Sequence, residues 1–144
     1  MGAALHERRL EDLSVGQVAE RRHVVRADDI DAFAAVSGDT NPLHLDEAYA
    51  TTTPFGTRIA HGMLAASYLS AVLGADLPGP GAVYLSQTLR FRRPVRIGDE
   101  VTARVSIAKI DSERRRVTLE TVCLVAGKAV LEGEAIVMVE RRSV

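Results

Sequence analysis

Ile59-Ala60-His61-Gly62-Met63-Leu64-Ala65-Ala66-Ser67-Tyr68-Leu69-Ser70-Ala71-Val72-Leu73-Gly74-Ala75 runs for seventeen residues without an aspartate, glutamate, lysine or arginine. A membrane span needs about 20 predominantly apolar residues, and this stretch carries His61, Gly62, Ser67 and Ser70. It therefore reads as a buried core helix. Gly74 and then Leu77-Pro78-Gly79-Pro80-Gly81 stop it, because glycine ends helices and proline cannot continue them. Beyond that stop the hydrophobic period changes from 3.6 to 2. Residues 82–92 predict a strand, and Val101, Ala103, Val105 and Ile107 alternate with Thr102, Arg104 and Ser106. Val117, Leu119, Thr121, Cys123 and Val125 continue the alternation. A last strand carries Val130 and residues 135–139, with a bulge expected at Gly133. The connections 93–99, 111–116 and 126–128 are too short for parallel crossovers, so the C-terminal half is expected to be an antiparallel meander.

A long apolar helix followed by a twisted antiparallel sheet is satisfied when the sheet wraps around the helix. Ala65, Ala66, Ser67, Ser70 and Ala71 are small enough for close backbone approach. A lone wrapped sheet leaves strand edges unpaired, and pairing with a second copy removes them, so a homodimer is expected. Upstream, residues 15–25 predict a first strand and residues 27–36 a helix with Asp28 and Asp29 in its first turn, ended by Ser37-Gly38. Residues 46–51 predict one or two further helical turns. Residues 1–12 are charged and aperiodic and read as a partly ordered leader.

At 144 residues with a formal net charge of −1, the chain suits one domain spanning 1–144 and gives no overall sign of a nucleic-acid partner. The single cysteine, Cys123, excludes an internal disulfide and a multi-thiolate metal site and reads as inert core. His6-Glu7-Arg8-Arg9 passes at once into Leu10-Glu11-Asp12, unlike the apolar region of a secretory signal, so a cytoplasmic protein without membrane contact is expected.

The chemistry concentrates in Asp39-Thr40-Asn41-Pro42-Leu43-His44, which places a carboxylate and an imidazole five residues apart. Proline holds its own φ near −65° and pushes Asn41 out of helical geometry, so the turn is stiff. Two proton-handling groups on a stiff loop form a general acid/base pair. Downstream, Gly62 opens the core helix, whose first N–H groups are unpaired and partially positive; a ligand oxygen could sit there as in an oxyanion site. Read singly, Asp39 could cap a turn and His44 could be a structural histidine. His61, just before the glycine, suits a scaffold role. A metal held by Asp39, His44, Asp46 and His61 has only generic spacing in its favour, and none is expected.

Three segments together, VSGDTNPLHLD (36–46), FGTRIAHGMLAAS (55–67) and RFRRPVRIGDEV (90–101), resemble the MaoC-like (R)-specific enoyl-CoA hydratases of the hot-dog superfamily over nearly the whole chain. The resemblance implies an α+β hot-dog fold, an antiparallel sheet around a long central helix, with a short overhanging helical segment carrying the active-site loop. It implies hydration of a trans-2-enoyl-CoA to an (R)-3-hydroxyacyl-CoA, with Asp39 and His44 holding the water and Gly62 offering its N–H to the thioester carbonyl. It further implies that Asn41 orders the pair and that Ser70 and Leu73 line the acyl pocket. Arg90, Arg92, Arg93 and Arg96 could meet CoA phosphates, or form a solvated face. The substrate is then an acyl-CoA or acyl-carrier-protein thioester, and no cofactor is needed. A hot-dog thioesterase and a non-catalytic acyl-CoA-binding subunit are the alternatives.

Overall fold

The computed structural model describes residues 7–142. After a 3₁₀ turn at Leu10–Asp12 the chain forms β1 (Val18–Val24), α1 (Ala27–Ser37), α2 (Pro42–Leu45), α3 (Glu47–Ala50), α4 (Gly62–Ala75), β2 (Val83–Gln87), β3 (Arg90–Phe91), β4 (Glu100–Asp111), β5 (Arg116–Val125) and β6 (Lys128–Met138). All strand pairs are antiparallel, in the order β1-β4-β5-β6-β2, with β3 also on β6. The sheet wraps around α4, giving the hot-dog arrangement.

Alternation decides which face of the sheet meets the helix. Val101, Ala103, Val105 and Ile107 of β4 and Val117, Leu119, Thr121 and Cys123 of β5 are buried, and Leu64, Ala65, Leu69, Val72 and Leu73 of α4 pack into the same core. Small residues permit the close approach, with Cys123 Sγ 3.5 Å from the Ala65 carbonyl oxygen. Burial pushes the Cys123 thiol up to about 12, so at neutral pH it is an unreactive apolar group.

Several local expectations need correction. The expected strand over 82–92 is divided into β2 and β3, and the expected bulge at Gly133 lies elsewhere, between Cys123 and Leu124 on the β5–β6 ladder and between Tyr84 and Ser86 on β2–β6. Gly133 is glycine for a different reason: a Cβ there would lie 1.8 Å from the Thr88 carbonyl oxygen. The meander holds for β4, β5 and β6 only. Since β2 and β3 pair with the last strand, the segment 93–99 carries the chain across to β4, beside β1. The described part of the leader is packed, not loose: Leu10 and Leu13 are buried in the core and the Leu10 N–H donates to the Glu140 carbonyl at 2.9 Å. Residues 1–6 of that leader lie outside the described residues.

Nor is α4 buried all round. Met63 is 54% exposed, and Ser67, Ser70, Ala71 and Gly74 share the uncovered side. One curved sheet covers one side of a helix; covering the other takes a further layer.

Candidate active site

The loop after α1 is built by short-range capping. Gly38 ends α1 at φ 80°, the left-handed conformation glycine adopts without a Cβ clash, and its N–H donates to the Ala34 carbonyl. The Asn41 N–H then donates to Asp39 Oδ1 at 3.1 Å, and Asn41 Oδ1 accepts from the Leu43 N–H at 3.0 Å. Asn41 is thus the N-cap and Pro42 the first residue of α2, which converts the expected turn into a one-turn helix. That turn carries His44 inward.

His44 is 9% exposed, and its Nδ1–H donates to the Ile59 carbonyl at 2.7 Å. This bond fixes the tautomer, because a carbonyl only accepts. Nε2 therefore carries the free lone pair of the neutral ring. Burial holds the His44 pKa below the ordinary imidazole value; His61 pushes it the same way, and the Ile59 bond and Asp39 oppose. The fold favours the base form.

His61 is 2% exposed and its Nε2–H donates to the Asp39 backbone carbonyl at 3.0 Å. Its ring lies 4.0 Å from that of His44 and 4.8 Å from that of Phe33. One buried ring thereby braces Asp39 and His44 together, the scaffold placement expected of it. Donor atoms of Asp39, His44 and His61 lie within 4.8 Å of one another. That spacing would admit a metal ion, and the two imidazole planes are tilted by 30° at 4.0 Å centroid separation.

These groups face a cavity of about 600 Å³. Its polar lining includes Asp39, His44, His61, Gly62, Arg92 and Arg93, and its walls include Phe33, Phe55, Ile59, Phe91, Val95 and Leu131. Gly62 starts α4, and its N–H finds no acceptor among the described residues. Phe91 closes over it, with ring carbons 2.6, 2.8 and 3.2 Å from where a Gly62 Cβ would stand.

Not every sequence-predicted residue reaches this cavity. Asp39, His44 and Gly62 do; exposed Asn41 stands behind them as a cap. Ser70 and Leu73 lie eight and eleven residues along α4, roughly 12 and 16 Å from Gly62. Ser70 is on the uncovered side and Leu73 in the core, and neither lines the cavity. Arg92 and Arg93 are at the cavity, Arg92 paired with Glu132 at 2.6 Å and Arg93 donating to the Ala129 carbonyl at 2.6 Å. Arg90 does not reach the cavity and lines a neighbouring cleft with Arg104, Glu120 and Arg92, which borders both. The Ile59 carbonyl and the Phe91 ring were not legible in the sequence: any residue has a carbonyl, and Phe91 alternates like an ordinary strand residue.

A model of the MaoC like domain matches residues 13–129. An (R)-specific enoyl-CoA hydratase of Rhodospirillum rubrum is 55% identical over 132 residues, 92% of each chain. A 3-hydroxybutyryl-CoA dehydratase of Methylorubrum extorquens is 52% identical over 132 residues, 92% of this chain and 84% of that one. Among solved structures, an R-hydratase from Pseudomonas aeruginosa in the unliganded form superposes with a TM-score of 0.88 at 46% identity, covering 93% of this chain and 86% of the other. With its helix-wrapping sheet, its Asp39/His44 loop and these relatives, the chain belongs to the MaoC-like (R)-specific enoyl-CoA hydratase family of the hot-dog superfamily.

Proposed function

We propose that the protein is a hydro-lyase that adds water across a trans-2-enoyl-CoA to give an (R)-3-hydroxyacyl-CoA and catalyses the reverse dehydration. The observation that carries this reading is His44: a neutral imidazole whose Nδ1–H is engaged by Ile59, which leaves the Nε2 lone pair free, with donor atoms of His44 and Asp39 within 4.8 Å of one another. A water held between them gives a proton to Nε2 while its oxygen attacks C3, and Asp39 accepts its other O–H. Electron density moves to the thioester oxygen, where the Gly62 N–H and the start of α4 stabilise charge that exists only in the transition state. The proton then passes to C2. A C–O and a C–H bond form and nothing is oxidised or reduced, so the chemistry calls for no cofactor.

Purified protein given crotonyl-CoA and longer trans-2-enoyl-CoAs should consume the conjugated thioester absorbance, and the product should be oxidised by an (R)-specific but not an (S)-specific 3-hydroxyacyl dehydrogenase. Free thiol release without hydration would identify a thioesterase instead; ligand binding with no turnover would identify a non-catalytic acyl-CoA module. Arg93, which donates to the Ala129 carbonyl, puts positive charge at the cavity, whereas that of Arg92 is offset by Glu132; this supports a CoA diphosphate as the carrier's recognised group. Equal rates on acyl-carrier-protein substrates would remove that preference.

The chain acts, in this reading, as a single domain and as a homodimer. Support comes from the β2 edge, where Val83, Tyr84 and Leu85 are 46, 40 and 46% exposed, and from the uncovered side of α4. Sedimentation should report twice the chain mass, and an active monomer at micromolar concentration would contradict it. A cytoplasmic location and the lack of a nucleic-acid partner belong to the same proposal, on the lone free cysteine and the near-zero net charge. Among the described residues no helix is long and apolar enough to cross a membrane.

A further inference from the structure

Residues 58 and 59, on the strap between α3 and α4, hold His44 from two sides. The Ile59 carbonyl takes the imidazole Nδ1–H at 2.7 Å. The Arg58 Nε–H donates to the His44 backbone carbonyl at 2.6 Å, and its Nη2 reaches Asp31 Oδ1 of α1 at 3.1 Å. The strap itself is pinned to α3: the Thr57 hydroxyl donates to Glu47 Oε1 at 2.7 Å and the Arg58 N–H to Glu47 Oε2 at 3.3 Å.

The His44 carbonyl needs such a partner. α2 is only four residues long, so its last carbonyls are left without helical donors. The Asp46 N–H already serves the Pro42 carbonyl, and Asp46 turns the chain into α3. Arg58 supplies the missing donor with a side chain that is only 14% exposed, and its planar fork serves two acceptors on two helices at once. It does not line the cavity, so it touches no reacting atom.

We propose that Arg58 is a positioning residue for the hydration: by clamping the His44 carbonyl it holds the α2 turn against the strap, so that the imidazole Nδ1–H stays on the Ile59 carbonyl that fixes its tautomer and Nε2 stays free. The inference rests on the reading of His44 as the proton acceptor. A lysine at 58 keeps the charge but offers one ammonium point to two separated acceptors. The sequence gives no hint of the role, since Arg58 sits among loop residues and its partner is a backbone atom.

The test measures kcat and KM on crotonyl-CoA for Arg58→Met, Arg58→Lys, Asp31→Ala and His44→Gln, with the His44 tautomer read from ring nitrogen-15 shifts. Misplacement of a catalytic group costs on the order of 10²-fold, so Arg58→Met should lower kcat by about 10- to 100-fold while KM stays within about twofold. Its His44 should populate both neutral tautomers, and Arg58→Lys should recover part of both signals. A folded Arg58→Met with near-normal kcat and an unmixed tautomer overturns the inference. If His44→Gln is inactive in that case, Arg58 alone falls; if His44→Gln hydrates at the wild-type rate, the reading of His44 falls and takes the inference with it. Should Arg58→Met fail to fold, Asp31→Ala decides, since it removes the acceptor and frees only the outer end of the guanidinium. A reduced kcat at constant KM supports the clamp, and an unchanged kcat and tautomer overturn it.

Discussion

Replacing Gly62 with alanine separates oxyanion stabilisation from packing at the start of α4. A Cβ at Gly62 would stand 2.6 Å from the nearest Phe91 ring carbon, so the ring must retreat by roughly 1 Å to reach ordinary van der Waals distance. Phe91 is 54% exposed and has room to move outward. Overpacking costs about 1–3 kcal/mol, and alanine recovers up to about 1 kcal/mol of helix propensity over glycine. The net loss is then about 0–3 kcal/mol, a fall in Tm of roughly 0–12 °C for a chain of this size. The kinetic effect should be far larger. A methyl group at the helix start holds the thioester oxygen away from the N–H, and loss of one oxyanion donor costs about 10²–10³ in kcat. Phe91→Ala removes the clash without restoring the approach. Gly62→Ala/Phe91→Ala should therefore regain Tm relative to Gly62→Ala and stay slow relative to Phe91→Ala. The assay is steady-state hydration of crotonyl-CoA alongside thermal melts of all three variants. A folded Gly62→Ala enzyme at near wild-type kcat refutes the oxyanion role. Full recovery of rate in the double variant assigns the loss to packing alone.

Asp39→Ala and His44→Ala should each lower kcat by at least about 10² with the fold intact, and the double variant should be no worse than additive, because the two act on one water; near-normal hydration by either single variant removes the pair from the mechanism. The pH profile of kcat/KM should rise through an apparent pKa below the ordinary histidine value and be flat above it, since burial favours neutral His44; a profile that falls as the pH rises through 7 would exclude neutral His44 as the base. Stability follows the same sign: the unfolded chain binds the His44 proton more readily, so this contribution is fully present above the unfolded pKa of about 6.5 and is lost as pH falls toward the depressed folded value, measurable as a falling urea midpoint. Leu69→Ala, at a fully buried position of α4, should cost about 2–5 kcal/mol in urea unfolding without a proportionate loss of kcat in the folded fraction.

The long helix, the three C-terminal strands and the order of the functional segments were legible in the sequence because each rests on local physics. Apolar period sets the helix from Gly62 and the inward faces of β4 and β5, and glycine and proline mark where each element ends. Asp39, Asn41, Pro42 and His44 could be read together because caps and turns are short-range. Tertiary structure alone decided that β2 and β3 pair with the last strand, that Gly133 yields to the Thr88 carbonyl, and that one side of α4 stays uncovered. It also decided which nitrogen of His44 is free, because that depends on the Ile59 carbonyl fifteen residues away. A backbone carbonyl is the same chemical group in every residue. Its use as the partner of a histidine or an arginine is therefore set by where the chain passes, and residue type leaves no mark of it.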